Sequence, residues 1–116
     1  MRCLIVDDSE DFIHSAARLL GSQGMDVVAS ASDGPGALKL VYALEPDVAL
    51  VDIELGDEDA IALSHDLAAQ TPATRVVLIS SYDRVDLAEL IALSPAAGFL
   101  PKTELGAEAI AIVLAG

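Results

Sequence analysis

Residues 48–52 read VALVD, four aliphatic side chains followed by one aspartate. A short run with no polar position, such as Val48–Val51, is typical of a strand buried on both faces. Burial on both faces in turn predicts a parallel sheet that is covered by helices. Asp52 stands at the point where this strand is expected to end.

Similar apolar runs recur along the chain on both sides of this one. They are Cys3–Val6, Val27–Ala31, Val76–Ile79 and Ala96–Leu100. All of them are short and mostly β-branched or aliphatic, so we interpret each as a buried strand.

Between and after these runs, apolar residues recur at the spacing of amphipathic helices. The first helix is expected to begin after the N-cap residue Ser9 and to end at Gly21 or Gly24. The second is stopped at Glu45 by Pro46, because the residue before a proline disfavours helical geometry. The apolar stripes of the first four helices are, in order, Phe12, Ala16, Leu19 and Leu20; Ala37, Leu40, Val41 and Leu44; Ala60, Leu63 and Leu67; and Leu87, Leu90 and Ile91. The fourth helix is expected to end near Pro95. A fifth helix is expected over Glu104–Ala115.

Strands and helices therefore alternate five times, which predicts an α/β fold with a doubly wound parallel sheet. Five strands favour the flavodoxin-like order 2-1-3-4-5 over a barrel, which needs more units. With 116 residues and no internal repeat or linker, we expect a single domain over 1–116.

The composition narrows the function further. The chain carries 19 acidic and 6 basic residues, a net charge of −13, so its surface is expected to repel nucleic acid. No apolar run approaches the ~20 residues that cross a bilayer, and no basic leader opens the chain. We therefore expect a cytoplasmic protein without membrane contact.

Cys3, the only cysteine, lies in an apolar run and is expected to be buried and inert.

Polar residues follow four of the five predicted strands. Asp7 and Asp8 follow the first, Asp52 the third and Ser80 the fourth, while Lys102 comes two residues after the fifth. In the order 2-1-3-4-5 these four strands are neighbours, and ligands bind beyond the carboxyl ends of such strands. Each residue also has an ordinary explanation, as a helix N-terminus, a turn or a solvated surface charge. Their common position at one edge is what favours a functional site.

Three carboxylates that lie close together repel one another unless a cation joins them. A hard divalent ion with oxygen ligands is suited to this position, Mg²⁺ in particular or Mn²⁺, because Mg²⁺ accepts few protein ligands and keeps water and phosphate oxygens. A carboxylate beside such an ion can act as a nucleophile on phosphorus and form an acyl phosphate.

These residues resemble the receiver domains of response regulators in two-component signalling. The similarity covers nearly the whole chain and is carried by four segments: Val6–Ser9, Val51–Ile53, Ile79–Ser81 and Gly98–Lys102. The segment around Lys102 and the residues after it are most similar to receivers of helix-turn-helix transcriptional regulators.

The resemblance implies a role for each matching residue. Asp52 would be the phosphoacceptor, and Asp8, Asp52 and the backbone carbonyl of Glu54 would ligate the metal, with Asp7 contributing through water. Ser80 and Lys102 would bind the phosphoryl group. Ser80 and Phe99 would form the switch, with Phe99 turning inward as Ser80 moves and changing the face made by the fourth helix, fifth strand and fifth helix. Without the resemblance, Phe99 would be interpreted as an ordinary strand aromatic.

Three positions depart from the family's common pattern. Gly56 stands where a proline is common four residues after the phosphoacceptor, Ala60 where a glycine is common, and Pro95 where a glycine often precedes the fifth strand. Gly56 is expected to make its loop more mobile. The acidic residues of this loop would either strengthen attraction of the metal or slow an anionic donor; they are Glu54, Asp57, Glu58 and Asp59.

The last predicted helix is apolar on nearly every side. We expect Ala107, Ile110, Ala111 and Leu114 to face the sheet, which leaves a second set for other faces: Leu105, Ala109, Ile112 and Val113. One hypothesis is that this second set packs on another receiver or on an output domain. The alternative is that this face is rich in small alanines and is less hydrophobic than its residue types suggest.

The expected function is a phosphorylation switch that is not itself an enzyme. The expected partners are a sensor histidine kinase or a small phosphodonor, together with an output domain outside this chain that controls transcription. Two alternatives are a receiver-fold interaction module that needs no phosphate and an aspartyl-nucleophile phosphatase. Such phosphatases usually have a second aspartate where this chain has Glu54.

Overall fold

The computed structural model describes residues 1–81 and 91–116. Five parallel strands form one sheet in the order β2-β1-β3-β4-β5, which confirms the predicted flavodoxin-like arrangement. The strands are β1 (Arg2–Val6), β2 (Asp26–Ala31), β3 (Val48–Asp52), β4 (Arg75–Ser80) and β5 (Gly98–Pro101). The described helices are α1 (Glu10–Ser22), α2 (Gly34–Leu44), α3 (Ala60–Gln70) and a C-terminal helix (Ala107–Ala115).

Short polar side chains set the start of the first three helices. Ser9 caps α1 as predicted, since its hydroxyl accepts a hydrogen bond from the Phe12 amide. Asp33 and Asp59 cap α2 and α3 in the same way. At the other end of α2, Glu45 adopts the left-handed conformation with φ 44°, which ends the helix just before Pro46.

The core has two layers, one on each face of the sheet. The layer under α2 and α3 includes Leu4, Val51, Leu78 and Phe99. The layer under α1 and the C-terminal helix includes Cys3, Ile5, Leu20, Leu50 and Ile110. Successive strand residues thus point to opposite layers, as two-sided burial requires.

The last helix was predicted too early in the chain. Lys102–Glu104 form a 3₁₀ turn, Leu105 is extended, and Gly106 becomes the N-cap of the helix that begins at Ala107. The side chain of Gln23 then accepts a hydrogen bond from the Ala107 amide at 2.6 Å, so α1 satisfies the first turn. A glycine within the predicted helix was the signal for this later start.

The apolar stripes were also assigned incorrectly at five positions. Leu19 is 41% exposed although Ala16 and Leu20 of the same stripe are buried. In the C-terminal helix Ala111 is exposed, whereas Val113 packs against the core. Leu105 and Ala109 also pack there, so Ile112 is the member of the predicted outer set that is strongly exposed.

Part of the predicted fourth helix lies outside the described residues. Leu87 and Leu90 belong to that part of the sequence. Ile91 and Ala92 are helical, and Ile91 packs against the α2–α3 layer, consistent with a helix that ends before Pro95.

Within residues 1–81 and 91–116, the helices are too short or too polar to cross a bilayer. Cys3 is fully buried in β1, and burial raises the pKa of its thiol to about 12. The predicted burial of Cys3 is therefore confirmed.

Gly98 is expected to resist substitution, because a Cβ there would lie 2.6 Å from Val113 Cγ1. We expect Gly98→Ala to lower the free energy of unfolding by about 1–3 kcal/mol through overpacking. Gly21→Ala is the matched control, since no atom lies within 4 Å of its Cβ position and helical Gly→Ala should add ~0.5–1 kcal/mol. Denaturant unfolding measures both, and equal stability of the two variants would contradict the close approach.

Candidate functional site

The register of the sheet brings the carboxyl ends of four strands to one edge. Val6 of β1 pairs with Val51 of β3, and Asp52 pairs with Ile79 of β4. Ser80 in turn pairs with Pro101 of β5. The polar residues that end or follow these strands therefore meet at one rim, as the strand order predicted.

Three carboxylates converge at this rim. Oxygens of Asp7, Asp8 and Asp52 lie within 4.8 Å of one another. Asp7 is fully buried and Asp52 is 3% exposed, whereas Asp8 faces solvent. Burying two carboxylates side by side is costly unless a positive charge joins them.

Lys102 supplies a positive charge between the two buried carboxylates. Its Nζ lies 2.7 Å from Asp7 Oδ2 and 3.2 Å from Asp52 Oδ2. The ammonium also lies over the ring of Phe12, 4.2 Å from the centroid, a cation–π contact. Lys102 is thus held by α1 as well as by the strand ends.

The ionisation of the site follows from these contacts. The pKa of Asp52 is raised, first because burial disfavours its charged form and also because Asp7 is near; the Glu54 amide and Lys102 oppose the rise. Burial alone would lower the pKa of Lys102, but its contacts with Asp7 and Asp52 outweigh burial and raise it. The lysine therefore stays charged beside the carboxylates.

Ser80 is fully buried at the end of β4. Its hydroxyl donates a hydrogen bond to Glu54 Oε1 at 2.9 Å. The backbone amide of Glu54 donates to Asp52 Oδ1 at 3.0 Å. The residue two places after Asp52 therefore contacts both Asp52 and Ser80.

The loop after β3 takes a path that depends on Gly56. Gly56 has φ +58°, whereas proline is fixed near −65°, so the family's common proline could not adopt this backbone. A Cβ at Gly56 would also approach Asp8 Oδ2 at 3.8 Å. Farther along, Glu58 Oε1 accepts a hydrogen bond from the Gly34 amide at 2.7 Å, which ties the loop to the start of α2.

Phe99 lies in β5 and is 6% exposed within the α2–α3 layer. The structure therefore has this ring in its buried position. An inward movement of Phe99 as Ser80 moves remains a prediction.

The structure thus brings together all five residues that the strand ends pointed to: Asp7, Asp8, Asp52, Ser80 and Lys102. The contacts of Phe12 with Lys102 and of Glu54 with Ser80 were not predicted. Phe12 had a weak signal, since it lies on the first turn of the helix that starts at this rim. The side-chain direction of Glu54 has no sequence signal.

The site is suited to a hard divalent cation. All three carboxylates offer oxygen ligands, which Mg²⁺ and Mn²⁺ prefer. Asp7 Oδ2 is buried and pairs with the Lys102 ammonium at 2.7 Å. A carboxylate oxygen has two lone pairs, so Asp7 Oδ2 can accept from a metal-bound water while it pairs with Lys102.

Comparison with known proteins identifies one family. A family model of the response regulator receiver domain matches residues 3–113. The transcriptional regulatory protein NarL of Mycobacterium tuberculosis is 34% identical over 98% of this chain, and DevR/DosR of the same organism, a DNA-binding transcriptional activator, is 32% identical over 93%. The chain spans 53% and 50% of these two relatives, about half their length.

Solved structures agree with the sequence comparison. The signal receiver domain of NarL from M. tuberculosis superposes with a TM-score of 0.82 at 33% identity, covering 99% of this chain and 96% of that one. A response regulator from Burkholderia pseudomallei has a TM-score of 0.84 at 28% identity, covering 97% of this chain and 65% of that one. That structure holds a phosphorylated aspartic acid and a calcium ion.

Magnesium is expected to stabilise the protein through this site. At a free Mg²⁺ concentration ten times the dissociation constant, the gain is about 1.4 kcal/mol. Asp52→Asn should lose most of this gain. Without metal, the variant should be at least as stable as wild type, because burial and the nearby Asp7 make the negative charge of Asp52 unfavourable. Thermal unfolding with and without Mg²⁺ measures both effects. Asp26→Asn, an exposed residue that opens β2, is the control, and an equal loss there would contradict the site.

Lys102→Met is expected to destabilise the metal-free protein by about 1–3 kcal/mol, because buried Asp7 loses its charged partner. Added Mg²⁺ should restore part of this stability. Lys39→Met on the exposed side of α2 should change stability by less than about 0.5 kcal/mol. Denaturant unfolding compares the variants, and a Lys102 variant as stable as the Lys39 variant would refute the ion-pair account.

Proposed function

Because this chain belongs to the response regulator receiver domain family, we propose that Asp52 accepts a phosphoryl group and that the modified domain controls an output. The observation that carries this proposal is the position of the Asp52 carboxylate, 3.2 Å from Lys102 and within a cluster of three carboxylates. A carboxylate oxygen, an ammonium and a cluster of carboxylates that could hold a cation lie within one rim.

In the proposed step, a carboxylate oxygen of Asp52 attacks phosphorus, and the bond from phosphorus to the donor's oxygen or nitrogen breaks. The leaving group keeps that electron pair, so an acyl phosphate forms without oxidation or reduction. Lys102 offsets negative charge on the transferring group. The Glu54 amide, bonded to Asp52 Oδ1, holds the carboxylate in orientation.

Asp8, Asp52 and the backbone carbonyl of Glu54 would hold Mg²⁺ or Mn²⁺, with Asp7 contributing through water. When bound, the ion neutralises carboxylate and phosphoryl charge. The B. pseudomallei response regulator contains both a phosphorylated aspartic acid and a calcium ion, which supports phosphorylation and cation binding in this fold.

After transfer, the phosphoryl group presents new acceptor oxygens and about −1.5 to −2 charges to the rim. Ser80 is the hydroxyl placed to donate to one of these oxygens, and Lys102 is placed to pair with the charge. Movement of Ser80 would then be followed by Phe99 and by the face around β5 and the C-terminal helix. This is a shift between two populated shapes, biased by contacts that differ between them.

The proposed output is control of transcription through a DNA-binding domain outside this chain, since NarL and DevR/DosR are named as transcriptional regulators and are about twice its length. The proposed donor is a sensor histidine kinase or a small acyl phosphate. With a net charge of −13, the domain itself would not contact nucleic acid. A cytoplasmic location suits such a regulator.

The proposed contact point on the C-terminal helix is the exposed side chain of Ile112, which would pack on a second copy or on an output domain.

The domain is proposed to act as a phosphoacceptor rather than as an enzyme. Some relatives are named protein-glutamate methylesterases, and one from Anaeromyxobacter dehalogenans is 35% identical over 107 residues. The chain spans 30% of that relative. A shared receiver domain accounts for this likeness without giving the present chain that activity.

Incubation with acetyl phosphate and Mg²⁺ is expected to give one phosphoryl adduct by intact mass. Asp52→Asn should abolish the adduct because it removes the nucleophile, and chelation of Mg²⁺ should suppress it. Asp26→Asn, which makes the same change in charge at the far end of the sheet, should keep it. An undiminished adduct in Asp52→Asn would place the acceptor elsewhere.

A further inference from the structure

The hydrogen bond between Ser80 and Glu54 joins the proposed switch hydroxyl to an anion of the chain itself. We propose that the Glu54 side chain is a positioning residue that holds Ser80 and competes with the phosphoryl group for its hydroxyl proton. This inference rests on the proposed function, because it assumes that Asp52 carries the phosphoryl group.

The geometry that supports this role comes from the backbone around Asp52. The Glu54 amide is fixed on Asp52 Oδ1, and the Glu54 carboxylate reaches Ser80 Oγ at 2.9 Å. Ser80 is next to Ile79, the residue that pairs with Asp52 across β3 and β4. One residue thus spans from the acceptor carboxylate to the switch hydroxyl.

A serine hydroxyl has one proton to donate. In the structure that proton is directed at a carboxylate oxygen, and hydrogen bonds to ionised acceptors are stronger than neutral ones. A phosphoryl oxygen must therefore displace Glu54 before it can gain Ser80. The Glu54 contact stabilises the unmodified shape and lowers the fraction of phosphorylated molecules that switch.

The two anions also repel each other. A phosphoryl group on Asp52 would lie near the half-buried Glu54 side chain, and like charges at short range are destabilising. Release of Ser80 by Glu54 and its capture by the phosphoryl group are then coupled. A contact present in one shape and absent from the other is what a population shift requires.

The test measures affinity for beryllofluoride, a stable mimic of the phosphoryl group, in saturating Mg²⁺ by calorimetry. Glu54→Ala and Glu54→Gln are compared with Asp57→Asn, which removes the same charge from an exposed position of the same loop. Mg²⁺ affinity is measured separately for each variant, so that an effect on the metal is distinguished.

We expect Glu54→Ala to bind beryllofluoride roughly tenfold more tightly than Asp57→Asn, a difference of about 1.4 kcal/mol. Glu54→Gln should lie between them, because a neutral amide oxygen accepts from Ser80 more weakly than a carboxylate. In a Ser80→Ala background most of the difference between Glu54→Ala and Asp57→Asn should disappear, and what remains measures the direct repulsion between Glu54 and the phosphoryl mimic. The Ser80 amide resonance of the metal-free protein should move in both Glu54 variants and stay in place in Asp57→Asn.

Equal affinities of Glu54→Ala and Asp57→Asn would show that only loop charge matters and would overturn the role of Glu54. A Glu54 effect that persists at full size without the Ser80 hydroxyl would overturn it as well. Failure of wild type to bind beryllofluoride while Mg²⁺ still binds would instead refute the proposed function of Asp52, and this inference with it.

Discussion

The ion pairs of Lys102 with Asp7 and Asp52 are the constraint on which the site depends. Two carboxylates that are almost fully buried would be intolerable side by side without a nearby positive charge. The parallel register sets the spacing of the carboxylates, and the Phe12 ring places the ammonium from the opposite side. The fold therefore serves to hold three like charges at a separation that a cation can bridge.

The loop after β3 adapts this arrangement to an unusual sequence. Gly56 permits a backbone turn that proline would prevent, and Glu58 anchors the loop to the amide of Gly34. That anchor needs a glycine at residue 34 as well, since a Cβ there would lie 2.5 Å from Glu58 Oε1. Gly56 thus sets the turn of the loop, and the Glu58 side chain ties the loop to the start of α2.

The sequence predicted the strand order and the five rim residues because both follow from periodicity and from where polar residues interrupt apolar runs. The sequence-based prediction was wrong at the start of the last helix, because Gly106 is its N-cap and the helix begins only at Ala107. It was also wrong about the faces of that helix, where Val113 packs against the core and Ala111 is exposed. The Glu54–Ser80 bond could not be predicted, because it depends on the rotamer of a flexible side chain. The same reason applies to the Phe12–Lys102 contact, whose partners are 90 residues apart.

Cys3 has a practical consequence for spectroscopy of this protein. Its thiol is fully buried in the sheet and burial raises its pKa to about 12, so maleimide and methanethiosulfonate reagents, which react with the thiolate, are expected to leave it unmodified in the native state. The chain also has no tryptophan. A single engineered cysteine or tryptophan on the surface can therefore report on local motion without first deleting a native reporter.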